Sequence, residues 1–441
     1  MGAQLKHVLY GVAAMLVMAA VPGRPDAGRT GPAPSSAGSA SPACPAEGTA
    51  VPAGTRLQAL VDSVAPGSVL CLAAGRYVGP LEIHKRLTVQ GPADAILRSD
   101  GSGTTVRAVA DSIVLSGFTV EGSGRRYDKM DAGVYLRGRG VQARSLTVRD
   151  ALFGIIVEQS DDVAVTDNHV LGLAGLPVGV RGDGIRLWEV RGSLVRGNHL
   201  EDSRDILVWY SPGNRIVHNT VEHSRYGTHF MYSDDCVVED ADYHENIVGV
   251  FVMYSHGITL RNNRIAGNEV VDGMGLGVKE SGNLVVEGNR FVRDRSCLYL
   301  DTSPFRAGDS VFVRGNTFAG CSAGVTFHSS ERRNTFVDNV FMANQTQVAV
   351  EGRGTAREVV WRGNYFDDYQ GYDLDGDGVG DVAYELRSLS ETLVARHPEL
   401  AFLRGTVAFS LLDVAARVLP LLEPETLLTD PHPRMFAPDK A

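Results

Sequence analysis

Four segments of this 441-residue chain repeat one short pattern: GIRLWEV from Gly184, DILVWYS from Asp205, GTHFMYS from Gly227 and GVFVMYS from Gly249. The steps between them are 21, 22 and 22 residues. A period of about 20–30 residues with one strand-length motif per repeat predicts a solenoid, in which each unit buries its apolar side only against its neighbours. The second and fourth residues of each segment are Ile185 and Leu187, Ile206 and Val208, Thr228 and Phe230, Val250 and Val252. They alternate as a strand does and are expected to point into the coil. The third and fifth are expected to point out: Arg186 and Trp188, Leu207 and Trp209, His229 and Met231, Phe251 and Met253. After them come Glu189, Tyr210, Tyr232 and Tyr254. Equivalent residues in stacked strands lie about 4.8 Å apart. The outer face therefore reads as a Trp, Trp, Met, Met ladder beside a Tyr ladder, an apolar patch that asks for a partner.

The pattern continues at GVYLRG (Gly133), GIIVEQS (Gly154), GLGVKES (Gly275), CLYLDTS (Cys297), GVTFHSS (Gly324) and QVAVEGR (Gln347). A polar residue recurs at a second corner: Asn168, Asn198, Asn219, Asp242, Asn263, Asn289, Asn316, Asn339 and Asn364. Asn tolerates left-handed turns and can bond up and down a stack, so this column is read as structural. Fifty glycines and many short β-branched runs agree with an all-β chain. The fold expected is a right-handed parallel β-helix over residues 56–384, with a short α-helical extension over 385–441.

Lys6 and His7 precede an apolar run at 8–21 that ends in small residues. About 14 residues are too few for a membrane span, so 1–21 reads as a secretory signal peptide. Residues 22–55, rich in Gly, Pro, Ser and Ala, read as a disordered leader. In an exported protein Cys44 and Cys71 are expected to tie the leader to the first coil. Cys297 and Cys321 stand about one coil apart and are a second candidate pair, which leaves Cys236 as a core residue. The net charge of −10, with no basic patch, excludes a nucleic-acid partner.

Residues 373–381 read DLDGDGVGD. Asp373, Asp375, Asp377 and Asp381, with the Val379 carbonyl and a turn at Gly378, match the front of a calcium loop. The twelfth place is Tyr384, with Glu385 beside it, where a full EF-hand carries Glu. The ion's expected role is to seal the solenoid end. Beyond it, two apolar helical segments, broken at Pro398 and Pro420, read either as a cap or as a docking helix for a membrane protein.

Two chemistries suit the patch. Asp183, Asp205, Glu189, Glu280 and Asp301 with Trp188 and Trp209 would suit polysaccharide binding or two-carboxylate cleavage. Met231, Met253 and Met274 with imidazoles from His229 and His256 would suit a soft ion, Cu(I) above harder ones. The segments GDGIRLW (182–188), SRDILVWYS (203–211), SRYGTHFMYSDD (224–235), GMGLGVKES (273–281), YLDTSPF (299–305) and NYFDDYQGYDLDGDGVGD (364–381) decide between them. Together they closely resemble the NosD family, densely over about 180–385. Phe366, where the family suggests Trp, and Val190, in a Tyr-Ser column, depart from the pattern. The resemblance implies a periplasmic, non-enzymatic copper-handling protein. Its implied partners are an ABC-type ATPase, its membrane subunit, a copper chaperone and nitrous oxide reductase, whose copper–sulfur cluster it helps to assemble. The expected transient Cu(I) ligands are His229, Met231, Met253 and Met274. Arg186, Trp188, Asp205, Trp209, Tyr210, Tyr232, Tyr254, Lys279, Glu280 and Asp301 form the expected binding surface around them.

Overall fold

A computed structural model describes residues 44–330, 333–352, 354–404, 406–418 and 426–438. The signal peptide read over 1–21 lies outside them. Most coils give one strand to each of three parallel sheets, which hold 14, 12 and 13 strands among the described residues. Within these three sheets neighbouring strands are counterparts from successive coils, so the repeat period becomes the sheet register: Leu187 faces Val208, Val208 faces Phe230, and Phe230 faces Val252. The inward columns fill the bore. Ile185, Leu187, Ile206, Val208, Phe230, Val250 and Val252 are all fully buried, each worth about 1.5–3 kcal/mol of apolar burial. Thr228 belongs to the same column and stays satisfied by bonding the Tyr243 hydroxyl at 2.7 Å.

The corners repeat as faithfully as the strands. Tyr210, Tyr232 and Tyr254 each take a left-handed turn, with φ of 50°, 52° and 53°. The serine that follows turns its hydroxyl inward, where it accepts the backbone N–H of the preceding coil: Ser211 N–H to Ser233 Oγ, then Ser233 N–H to Ser255 Oγ, both at 2.9 Å. At another corner the Asn column forms a buried ladder, Asn263 to Asn289 to Asn316 to Asn339 to Asn364, each amide bonded to the next at 2.8–3.0 Å. Asp242 is not in it. Ala241 takes that place and passes its N–H to Asn263, while Asp242 opens a strand and pairs outside with Arg264.

Both ends differ from the sequence expectation. The leader is not disordered throughout: Thr49–Val51 is the first strand of the 14-stranded sheet, and a Cys44–Cys71 disulfide anchors it. Leu57–Ser63 is a helix whose Leu57 and Val61, four residues apart, cover the first coil. Cys297 and Cys321 also pair, and Cys236 is buried and free. The coils stop at Tyr365–Phe366, short of residue 384. The segment 385–441 is not purely helical. Tyr384–Arg387 pairs antiparallel with Thr426–Asp430, which lays Leu427 and Leu428 over the last coil, where an open sheet end would otherwise leave apolar side chains and backbone groups in water. Between these strands lie helices Leu389–Arg396 and Val407–Val418. The first is capped by Ser388, whose hydroxyl accepts the Glu391 N–H at 3.0 Å. The second leaves Val407, Leu411 and Val414, one stripe at helical spacing, more than half exposed. Among the described residues no helix is long and apolar enough to cross a membrane.

Candidate metal centre on the outward face

The four central strands are Ile185–Arg191, Asp205–Trp209, Tyr226–Met231 and Val248–Met253. Their register puts Trp188, Trp209, Met231, Met253, Lys279 and Asp301 in one outward column. Met231 and Met253 are direct neighbours, so their long side chains share one patch of surface. The Trp188 and Trp209 rings lie 4.5 Å apart, and Tyr210, Tyr232 and Tyr254 stack alongside at 5.1 and 5.0 Å. Tyr210 and Tyr232 stay exposed at the turn beside the Met column. Lys279 pairs with Asp301 at 3.8 Å and closes the column on that side, with Glu280 next to it at the turn.

The neighbouring outward column, Arg186, Leu207, His229 and Phe251, was expected to be exposed. Arg186, Leu207 and His229 are instead buried. The cover comes from within the repeat: the Tyr226 ring meets the His229 imidazole edge-on at 5.0 Å, and Phe251 stacks against it at 6.1 Å. Tyr127, from the helical turn Tyr127–Lys129 three coils earlier, accepts Arg204 through its hydroxyl.

Beneath this cover lies a set of buried charges. Asp183 accepts Arg186 at 3.1 Å and Arg204 at 2.9 Å. Asp205 accepts Arg225 through both oxygens and His229 Nδ1 at 3.3 Å. Burial opposes the Asp205 charge, but Arg225, the His229 N–H and Arg204 hold its carboxyl well below the usual carboxylate range. Burial likewise pulls the His229 imidazole below its ordinary value, against the pull of Asp205. The ring is therefore neutral, and an ionised carboxylate can only accept, so the ring proton sits on Nδ1. That leaves the Nε2 lone pair aimed at the Met253 sulfur, 3.2 Å away. Two lone-pair donors face each other there with no proton between them. A tetrahedral ion holding nitrogen at about 2.0 Å and sulfur at about 2.3 Å spaces those ligands roughly 3.5 Å apart. The carboxylate–imidazole–metal relay is a common way of orienting a ligating histidine.

Met274 opens the next strand, Met274–Lys279, and pairs with Val248, outside the Met column. Its sulfur nevertheless folds back over Gly277, which follows Phe251 in the His229 column. A Cβ at Gly277 would lie 3.0 Å from the Met274 sulfur and 2.9 Å from the Phe251 ring, so the missing side chain is what admits them. His256, the second imidazole considered from the sequence, is elsewhere: it sits at a corner against Asp309, 3.0 Å away. Sequence reasoning missed Arg204 and Arg225 and the role of Gly277. The signal was present, since SRD and SRY place an Arg at the same point of consecutive repeats.

In the acidic loop, ligand oxygens of Asp373, Asp375 and Asp377 lie within 4.8 Å of one another. Asp373 accepts the Gly376 and Gly378 N–H groups at 2.7 and 2.9 Å, which folds the loop around the three carboxylates. Asp381 accepts the Leu374 N–H at 2.6 Å, and Val379 bridges to Arg434.

Fold and site together define a parallel β-helix that carries an imidazole–thioether centre on one sheet. Residues 173–371 match the family described as "Periplasmic copper-binding protein (NosD)". A protein named "Probable ABC transporter binding protein NosD" from Pseudomonas aeruginosa is 29% identical over 402 residues, covering 83% of this chain and 88% of its own. One of the same name from Stutzerimonas stutzeri is 28% identical, covering 83% and 86%. Over residues 173–371 the chain is similar to the NosD family. Solved structures similar in fold include the catalytic unit of a GH87 α-1,3-glucanase from Streptomyces thermodiastaticus, with TM-score 0.53 and 18% identity over 74% of this chain and 65% of that one. Another is the A-module of mannuronan C-5 epimerase AlgE6 from Azotobacter vinelandii, with TM-score 0.52 and 17% identity over 69% and 93%. At these identities they speak for the β-helix alone.

Proposed function

We propose that this protein takes up Cu(I) in the periplasm at His229 and Met253, with Met231 and Met274 as further thioether donors. It then passes copper on for assembly of the copper–sulfur cluster of nitrous oxide reductase. The observation that carries this reading is the Nε2 lone pair facing the Met253 sulfur at 3.2 Å, fixed by Asp205 on the other ring nitrogen. Nitrogen with thioether sulfur favours Cu(I). An open set of two to four such donors suits a cargo that must leave again. The protein acts as an accessory rather than an enzyme. Two of the five acids that a glycan-cleaving rival would use, Asp183 and Asp205, are buried and already neutralised by Arg186, Arg204 and Arg225. An anaerobic Cu(I) competition titration tests the reading. Met231→Leu with Met253→Leu keeps the apolar bulk and should lose most Cu(I) affinity while the fold stays intact. Unchanged affinity overturns the assignment, and binding on a glycan array would favour the rival.

The partners follow from the same reading. A copper chaperone loads the site, and an ABC-type ATPase with its membrane subunit works beside it, in keeping with the names of the relatives. The exposed Val407, Leu411 and Val414 stripe is the surface assigned to that membrane subunit. A signal peptide over 1–21 would deliver the chain to the periplasm. Asp373, Asp375, Asp377 and Asp381, with the Val379 carbonyl, fit one Ca2+ ion that stiffens the end of the solenoid.

A further inference from the structure

On a different sheet from the copper centre, four of the 12 histidines gather with glutamates. His169 and His199 are register partners in adjacent coils, and their rings stack at 5.0 Å. Both aim Nε2 at one oxygen of Glu201, at 3.2 Å from His169 and 3.6 Å from His199. His199 Nε2 also lies 3.0 Å from Glu222, which His223 and His244 approach at 3.4 and 3.5 Å. Glu201 and Glu222 are themselves register partners, so two like charges sit directly opposite each other, which is unfavourable without a cation between them. Ligand atoms of His169, His199 and Glu201 all lie within 4.8 Å of one another, and all three side chains are partly open to water.

The geometry points to a further metal site here, distinct from the copper and calcium sites, for a borderline divalent cation of the Zn2+ class, held by His169 Nε2, His199 Nε2 and a Glu201 oxygen with Glu222 beside it. Two imidazoles and a carboxylate with one open position are a donor set for such ions. Without sulfur it has no preference for Cu(I), so the two faces of the solenoid sort ions by donor softness. Calorimetric titration of the whole protein with Zn2+, with Ca2+ in excess to fill the acidic loop, tests it. The parent and the Met231→Leu, Met253→Leu variant should each take up one equivalent. His169→Gln with His199→Gln should bind at least tenfold more weakly, and zinc-edge X-ray absorption of the parent complex should show two imidazoles and no sulfur. His199→Gln alone gives the same reading should the double variant not fold. No uptake by the parent, equal uptake by the His variants, or sulfur in the zinc shell would each overturn the proposal.

Discussion

The side-chain amide of Asn364 donates to the carboxylate of Asp430, 66 residues further along the chain, at 2.8 Å. The Asn364 backbone N–H reaches the same oxygen at 3.0 Å, and the other oxygen accepts His432 N–H at 3.0 Å. The Asn ladder thus ends on an acid brought by the capping strand. Asp430→Ala would leave buried donors unpaired, at a cost of about 1–3 kcal/mol. Asp430→Asn supplies an acceptor oxygen and should recover most of that loss. Urea denaturation of both variants checks it, and equal midpoints for Ala and Asn would show that the ladder end contributes nothing.

Asp294 offers a pH signature. It occupies an Asn-type corner, accepts Asn268 through one oxygen at 2.8 Å and leaves the other without a partner. Burial pushes its carboxyl up to about 8, and the Asn268 bonds only partly oppose this. In the unfolded chain an Asp titrates near ~3.9. The folded state therefore holds a proton that the unfolded state releases. This stabilising contribution is complete below about pH 4 and is lost as pH rises towards 8, by up to ~1.4 kcal/mol per unit. Asp294→Asn should match the parent near pH 4 and exceed it increasingly towards pH 8. Parallel thermal melts across that range would show a widening gap, and parallel curves would refute the assignment.

Calcium should raise the melting temperature of chelator-treated protein by mass action. Asp375→Ala should abolish the rise, because it removes one of the three converging carboxylates. A parent protein indifferent to calcium would sink the loop assignment.

The exposed helix stripe can be tested without disturbing the cap. Leu411→Asp with Val414→Asp changes side chains that face water, so the monomer should melt within about 0.5 kcal/mol of the parent, as surface substitutions do. Co-purification with the ABC membrane subunit should fall at least tenfold. If the pair still co-purifies, the subunit docks elsewhere.

The coil period, the inward columns and the Met231–Met253 register were legible because each is set by neighbours one repeat away. The burial of His229 was not. Its cover includes Tyr226 and Phe251, whose ring directions an alternation pattern does not give. The pairing of Asp205 with His229 spans 24 residues and becomes visible only once the coils are stacked. The strand Thr426–Asp430 escaped for a similar reason. Five residues carry little pattern, and their partner, Tyr384–Arg387, lies beyond both intervening helices.

Met231 and Met253 are the same position of the repeat, met twice in succession. A whole extra coil inserted between them would extend every sheet, continue both corner ladders and fill its own share of the bore. The sulfurs would then stand roughly 10 Å apart, too far to share an ion. Thermal stability would hardly register the change, while the proposed copper site would be lost. In a lineage that grows by duplicating coils, selection on folding alone cannot keep this pair adjacent, so the number of coils between the two methionines is itself a functional character.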